Sequence, residues 1–200
     1  MILSERFDAA LEMASDLHRH QKRKATEIPY LAHLLAAAAI VLENGGDEDQ
    51  AIAALLHDAP EDQGGRPIVE VIRARFGDRV AGIVEDCTDT FEDPKPEWLP
   101  RKVSYLKHLD HQASEDSLLV SAADKLHNLR AIRDDFAHQG DQLWGRFSGR
   151  PGQQLWYFQT LAHIYTQRMP GRLADTFTQQ VAGFGADMTA AGIQAEEPSR

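Results

Sequence analysis

From Leu118 to Phe136 the apolar residues Leu119, Ala122, Ala123, Leu126, Leu129, Ile132 and Phe136 return every three or four positions, the period of one face of an α-helix. A helix that apolar has to be wrapped by other elements. The rest of the chain repeats the same period. Phe7, Ala10, Leu11, Ala14 and Leu17 mark a first helix, and Leu31, Leu34, Leu35, Ala38 and Val41 a second. Pro29 can open the second, and Asn44-Gly45-Gly46 closes it. Asp47 is the expected N-cap of a third helix through Ala51, Ala54, Leu55 and His57, ended by Pro60 and Gly64-Gly65. Two shorter helices follow, one over Ile68 to Phe76 and one carrying Val80, Ile83 and Val84. The proline-rich acidic stretch Asp89 to Pro100 is expected as a loop, with its Asp89–Glu97 part either a lid or a linker. A helix resumes near Arg101, Gly140 to Gly152 reads as a second loop, and helices return over Leu155 to Tyr165 and Arg172 to about Met188. No strand alternation or internal repeat is present, so the expectation is an all-α chain: one domain over residues 1–188 and a polar, frayed tail over 189–200.

Composition narrows the function classes. With 200 residues and 42% hydrophobic content the chain can bury a real core. No apolar run approaches the ~20 residues of a membrane-spanning helix, and no secretory signal is visible. The single cysteine, Cys87, rules out an internal disulfide and a cysteine-based zinc site, and fits a cytoplasmic protein. A formal net charge of -10 argues against nucleic acid as a partner. It leaves room for a small anionic substrate, because Arg19, Lys22, Arg23 and Lys24 cluster locally. The oligomeric state is left open.

The sharpest local feature is Leu55-Leu56-His57-Asp58-Ala59-Pro60-Glu61-Asp62, a histidine and three acids at the end of an apolar helix. Such groups are expensive to bury without partners, and a metal ion is the simplest partner for a neighbouring His and Asp. Adjacent helical residues point ~100° apart, so further ligands are needed. His33, on the apolar face of the second helix, and Asp124, in the middle of the longest one, are the candidates. Taken singly, each fits an ordinary structural role: a core histidine with a hydrogen bond, or an Asp bonded to a neighbouring helix. As a set, two imidazoles and two carboxylates suit manganese, iron or zinc, and spacing does not choose among them.

The order His33, His57-Asp58, Asp124 resembles the HD superfamily of metal-dependent phosphohydrolases, and more narrowly the hydrolase domain of RelA/SpoT-type enzymes and the stand-alone small alarmone hydrolases. Glu61-Asp62 follows the metal pair as it does in that family. His18, Gln21, Arg23 and Lys24 match its first helix end, and Pro29, Tyr30 and His33 its next element. Phe76-Gly77, Val80, Thr88-Asp89 and Arg101-Lys102 match later segments. Ala123 to Arg130 (Ala-Asp-Lys-Leu-His-Asn-Leu-Arg) is close to its most recognisable stretch, and Trp156-Tyr157-Phe158 resembles its late aromatic helix. The likeness spans roughly residues 7 to 168. Two departures stand out: Ala59-Pro60 replaces a Thr-Val type pair, and Leu34 follows His33 where a proline is usual.

The resemblance implies an HD-domain helical bundle. It implies a divalent metal, manganese before iron or zinc, held by His33, His57, Asp58 and Asp124. It implies Glu61 and Asp62 as the groups that move the proton of an attacking water. The implied reaction removes the 3′-pyrophosphate of guanosine 3′,5′-bispyrophosphate, with Arg23, Lys24, Lys102, Lys125, Asn128, Arg150 and Tyr157 as substrate contacts. By residue type alone, plainer roles stay open: Arg23 and Lys24 solvated, Lys125 paired with Asp124, Tyr157 in the core. An HD nucleotidase or phosphodiesterase, a non-catalytic nucleotide-binding HD module and a purely structural helical domain are the alternatives.

Overall fold

The computed structural model describes residues 2–198. Among them are ten α-helices: α1 Glu5–Leu17, α2 Leu31–Glu43, α3 Glu48–Leu56, α4 Ala59–Gln63, α5 Arg66–Phe76, α6 Asp78–Cys87, α7 Trp98–His111, α8 Glu115–Gln139, α9 Pro151–Arg168 and α10 Arg172–Ala190. A 3-10 turn covers Gly140–Arg146. The described residues form no named strand; Lys22 and Pro29 make one isolated bridge that closes the α1–α2 connection. The expected all-α class is what the chain adopts.

The long apolar helix is α8, and it is central: α2, α3, α6, α9 and α10 all pack on it. Its small residues Ala122 and Ala123 are fully buried, which lets α2 and α3 approach closely enough for polar side chains to meet across the gap. Capping fixes where the inner helices begin. Asp47 and Gln50 form a reciprocal capping box at the start of α3, and Ser114 accepts from Ser117 N at 3.1 Å to start α8.

Several boundaries differ from those the sequence pattern predicts. Pro60 does not end a helix but sits in the first turn of α4, where its missing N–H has no helical partner to lose. The Gly140 to Gly152 stretch is not all loop. The 3-10 turn occupies its first half, and Pro151 begins α9. α7 begins at Trp98, ahead of Arg101, with Pro100 again tolerated in a first turn. The tail is not frayed throughout its described part. Glu196 N donates to Gly152 O at 2.9 Å, and a Cβ on Gly152 would lie 2.4 Å from Gln194 O. Glycine at that position is what lets residues 194–196 lie against the start of α9.

Candidate metal and substrate site

Four side chains meet where α2, α8 and the α3–α4 turn converge. The backbone explains how His57 and Asp58 share one point. His57 stays helical, while Asp58 moves to φ −91°, ψ −5°, the bridge region where a chain turns. The turn swings the Asp58 carboxylate round to its neighbour, Oδ2 lying 3.0 Å from His57 Nε2 and 3.4 Å from His33 Nε2. Asp124 Oδ1 lies 3.2 Å from His33 Nε2 and 3.6 Å from His57 Nε2. Atoms that bind one ion at about 2.1 Å lie about 3.0–3.4 Å from each other, so the spread fits a shared ion. His33, His57 and Asp58 bring ligand atoms within 4.8 Å of one another, and Asp124 stands at the edge of that group, reaching it through the two Nε2 atoms.

The strongest sign of a missing partner is that Nε2 of His33 and Nε2 of His57 are both buried and make no hydrogen bond. The carboxylate oxygens approach both Nε2 atoms without the geometry of a hydrogen bond. His57 Nδ1 lies 2.8 Å from Ala54 O. A carbonyl only accepts, so Nδ1 carries a proton and Nε2 is the nitrogen presented to the carboxylates. Burial opposes charge on this ring, but Asp58 and Asp124 outweigh it and raise its pKa well above the ordinary value. His33 Nδ1 lies 2.8 Å from His127 Nδ1. Burial, reinforced by His33, pushes His127 down to about 4, so it is neutral and free to accept. The residues present therefore fit a divalent ion, with Nε2 of each histidine as the atom offered to it.

Electrostatics keep the carboxylates ionised. Burial works against charge on Asp124, but Lys125 and His57 outweigh it and hold its pKa well below the usual range. Asp58 is likewise held low, burial being outweighed by the facing His57 charge. Lys125 Nζ is 2.6 Å from Asp124 Oδ2, and Asn128 Nδ2 is 2.5 Å from Asp124 Oδ1. Arg23 Nη2 donates to Asn128 Oδ1 at 2.7 Å. Lys125, Asn128 and Arg23 thus form a chain of support behind one ligand, and all three also line the cavity in front of it.

That cavity, of about 720 Å³, brings together most of the candidate site residues: Asp58, Glu61, Asp62, Lys24, Lys102 and Tyr157 lie on its wall with the three just named. Lys102 is nearly buried. Burial and nearby Lys125 push it down to about 7, although Asp89 Oδ2 lies 2.6 Å from its Nζ. Tyr157 is buried, its hydroxyl lacks a partner, and Lys102 Nζ sits 5.1 Å from its ring centre.

Arg150 is the exception. It is exposed, does not line the cavity, and pairs with Glu196 at 2.7 Å. The start of α9 faces the tail, which places Arg150 away from the cavity lining. The cation that the same stretch does supply is Arg146, held by Asp135 at 2.9 Å. Two residues that support the ligand cluster were also not among the candidates: Tyr30, whose hydroxyl donates to Asp58 Oδ2 at 2.7 Å, and His127, the partner of His33. Both lie in stretches singled out by resemblance, and that was the one signal pointing to them.

A set of two histidines and two carboxylates, carried on three segments of a helical bundle and opening onto a basic cavity, defines a helical metal-site class. Residues 10–154 match the HD domain family, and the chain belongs to that family. Over 127 residues it is 41% identical to the guanosine-3′,5′-bis(diphosphate) 3′-pyrophosphohydrolase MESH1 of Xenopus tropicalis, covering 62% of this chain and 68% of that one. It is 34% identical over 121 residues to a probable guanosine-3′,5′-bis(diphosphate) 3′-pyrophosphohydrolase of Synechocystis, covering 60% of this chain but only 16% of that longer protein. A solved structure of a metazoan orthologue of SpoT, described as hydrolysing ppGpp, superposes with a TM-score of 0.73 at 26% identity, covering 92% of this chain and 98% of the other.

Proposed function

We propose that this chain is a metal-dependent pyrophosphohydrolase that removes the 3′-pyrophosphate of guanosine 3′,5′-bispyrophosphate. The observation that carries the reading is the pair of buried, unpartnered Nε2 atoms facing two carboxylates at a cavity rimmed by Lys24, Lys102 and Lys125. On a chain of net charge -10, cations gathered at one cavity support a small, highly anionic ligand. The activity named for MESH1 and for the SpoT orthologue supports the guanosine bispyrophosphate in particular.

In this reading His33, His57, Asp58 and Asp124 hold one divalent ion, most readily Mn2+, with Fe2+ or Zn2+ as alternatives. When bound, the ion supplies Lewis acidity to a phosphoryl oxygen and acidifies water. The chain's own groups do the rest. Lys24, Lys102 and Lys125 neutralise and orient the phosphates, and Tyr157 supplies an apolar face for the nucleoside. Glu61 or Asp62 takes the proton released as water oxygen bonds to phosphorus and, as the bond from phosphorus to the 3′-oxygen breaks, returns a proton to that oxygen, which leaves as the 3′-hydroxyl. We take residues 1–188 as the hydrolase unit and the cytoplasm as its setting, in keeping with the single buried cysteine. No helix among the described residues is long and apolar enough to cross a membrane.

The test is pyrophosphate release from the bispyrophosphate by chelator-stripped protein with and without added Mn2+. Metal-dependent release, abolished by Asp58→Ala, is expected. Hydrolysis of nucleoside monophosphates or cyclic nucleotides alone would replace this reading with that of an HD nucleotidase or phosphodiesterase.

A further inference from the structure

The segment between α6 and α7, residues 88–97, is not a slack linker. The Asp89 carboxylate is buried and held by Arg101 and Lys102. Phe91 packs against the core with the Arg66 guanidinium 4.2 Å from its ring centre. Thr90 Oγ1 accepts from Glu92 N at 3.1 Å. Beyond these anchors the segment turns Lys95 toward the cavity, where Nζ lies 2.9 Å from Glu61 Oε1 and 2.9 Å from Asp62 Oδ1. An isolated exposed ion pair is worth little. Here one ammonium bridges two neighbouring carboxylates that are only 18% and 21% exposed and would otherwise repel each other.

The oxygens of the two acids are not equally committed. Asp62 Oδ1 accepts from Lys95, and Asp62 Oδ2 accepts from Gln21 Nε2 at 2.8 Å. Glu61 Oε1 accepts from Lys95, with Arg101 Nη1 at 3.9 Å, while Glu61 Oε2 accepts no hydrogen bond among the described residues. We propose that Lys95 is a positioning residue that clamps Glu61 and Asp62 across the cavity mouth, with Asp62 anchoring the clamp and Glu61 Oε2 alone left to receive the proton. The proposal rests on the hydrolase reading above and assigns separate tasks within the acid pair.

The test compares Lys95→Met, Lys95→Arg, Asp62→Asn, Glu61→Gln and the Lys95→Met/Asp62→Asn double variant, with metal content measured for each. A positioned general base contributes roughly 10²–10⁴-fold. Glu61→Gln should lose most of that in kcat. Lys95→Met and Asp62→Asn should each lose about tenfold, with KM within about twofold and metal content unchanged. The double variant should be no worse than either single one, and Lys95→Arg should recover most of the loss. A raised KM at constant kcat would make Lys95 a phosphate ligand instead. A raised kcat would make it a stopper, and equal losses in Asp62→Asn and Glu61→Gln would remove the division of labour. Each of these overturns the proposal. A second readout needs no turnover. Labelling of Lys95 by succinimidyl acetate, followed by mass spectrometry, should be several-fold faster in Glu61→Gln/Asp62→Asn than in the wild type. Equal rates would refute the clamp even if the substrate assignment itself had failed.

Discussion

Loading the ligand cluster with metal should raise the stability of the whole chain by an amount the structure bounds. His33 Nε2 and His57 Nε2 are buried without a partner, and an unsatisfied buried polar atom costs about 1–3 kcal/mol. The pair therefore leaves about 2–6 kcal/mol for a ligand to recover. Mass action gives a second figure. An ion that binds only the folded chain stabilises it by about 4.1 kcal/mol at 1,000 times its Kd, which falls inside that interval. A chain of this size moves its Tm by about 2–4 °C per kcal/mol, so saturation with Mn2+ should raise Tm by about 8–16 °C. The assay is thermal unfolding followed by circular dichroism on chelator-stripped protein titrated with Mn2+. Asp124→Asn removes one carboxylate charge at nearly constant volume and should shrink the shift to a few degrees. A stripped protein that melts at the same temperature as the loaded one would refute the ligand assignment, and so would an undiminished shift in Asp124→Asn.

Tyr30→Phe removes the hydroxyl that fixes Asp58 Oδ2 and should weaken metal binding by about 10–100-fold, read by competition with a chromogenic chelator. Burial and Lys125 lower Lys102 to about 7 from its ordinary 10.5, so between those pH values the unfolded chain holds a proton that the folded chain has released. The Lys102 contribution to stability should therefore rise with pH across that window, and Lys102→Met should remove that part of the slope in urea unfolding at about pH 7 and about pH 9. Arg150→Ala breaks only the exposed pair with Glu196 and should leave KM for the bispyrophosphate within about twofold of the wild type, as steady-state kinetics would show.

The helices were legible because burial imposes a period on the sequence, and the period survives whatever the tertiary partners are. Leu119 to Phe136 announced α8, and Asp47 announced the start of α3. The candidate ligand set was legible in a different way: His57-Asp58 stands out at the end of an apolar helix, while His33 and Asp124, each compatible with an ordinary core role, stand out only as members of a set with it. What failed was the reading of certain prolines as stops or loop residues, whereas Gly64, Gly77 and Gly140 do end helices. Pro60, Pro100 and Pro151 each sit in the first turn of a helix, where the lost N–H has no partner to miss. The same residue type marks an end or a beginning, and only the packing of the following turn decides which.

Arg150 and Lys95 show where residue type alone misleads. Both are cations carried just ahead of a helix near the site, yet one faces the tail and the other the acid pair. The choice is made by anchors far from either charge. The open backbone at Gly152 admits residues 194–196 and draws Arg150 to Glu196. Asp89 and Phe91, held by α7 and by Arg66, set the angle at which the acidic segment delivers Lys95. These contacts join segments well separated along the chain, with no local period to betray them. A charge therefore acquires its role from the path of the backbone that carries it. The segment that the sequence leaves open as lid or linker carries the cation that holds the candidate base because its two anchors leave Lys95 pointing inward.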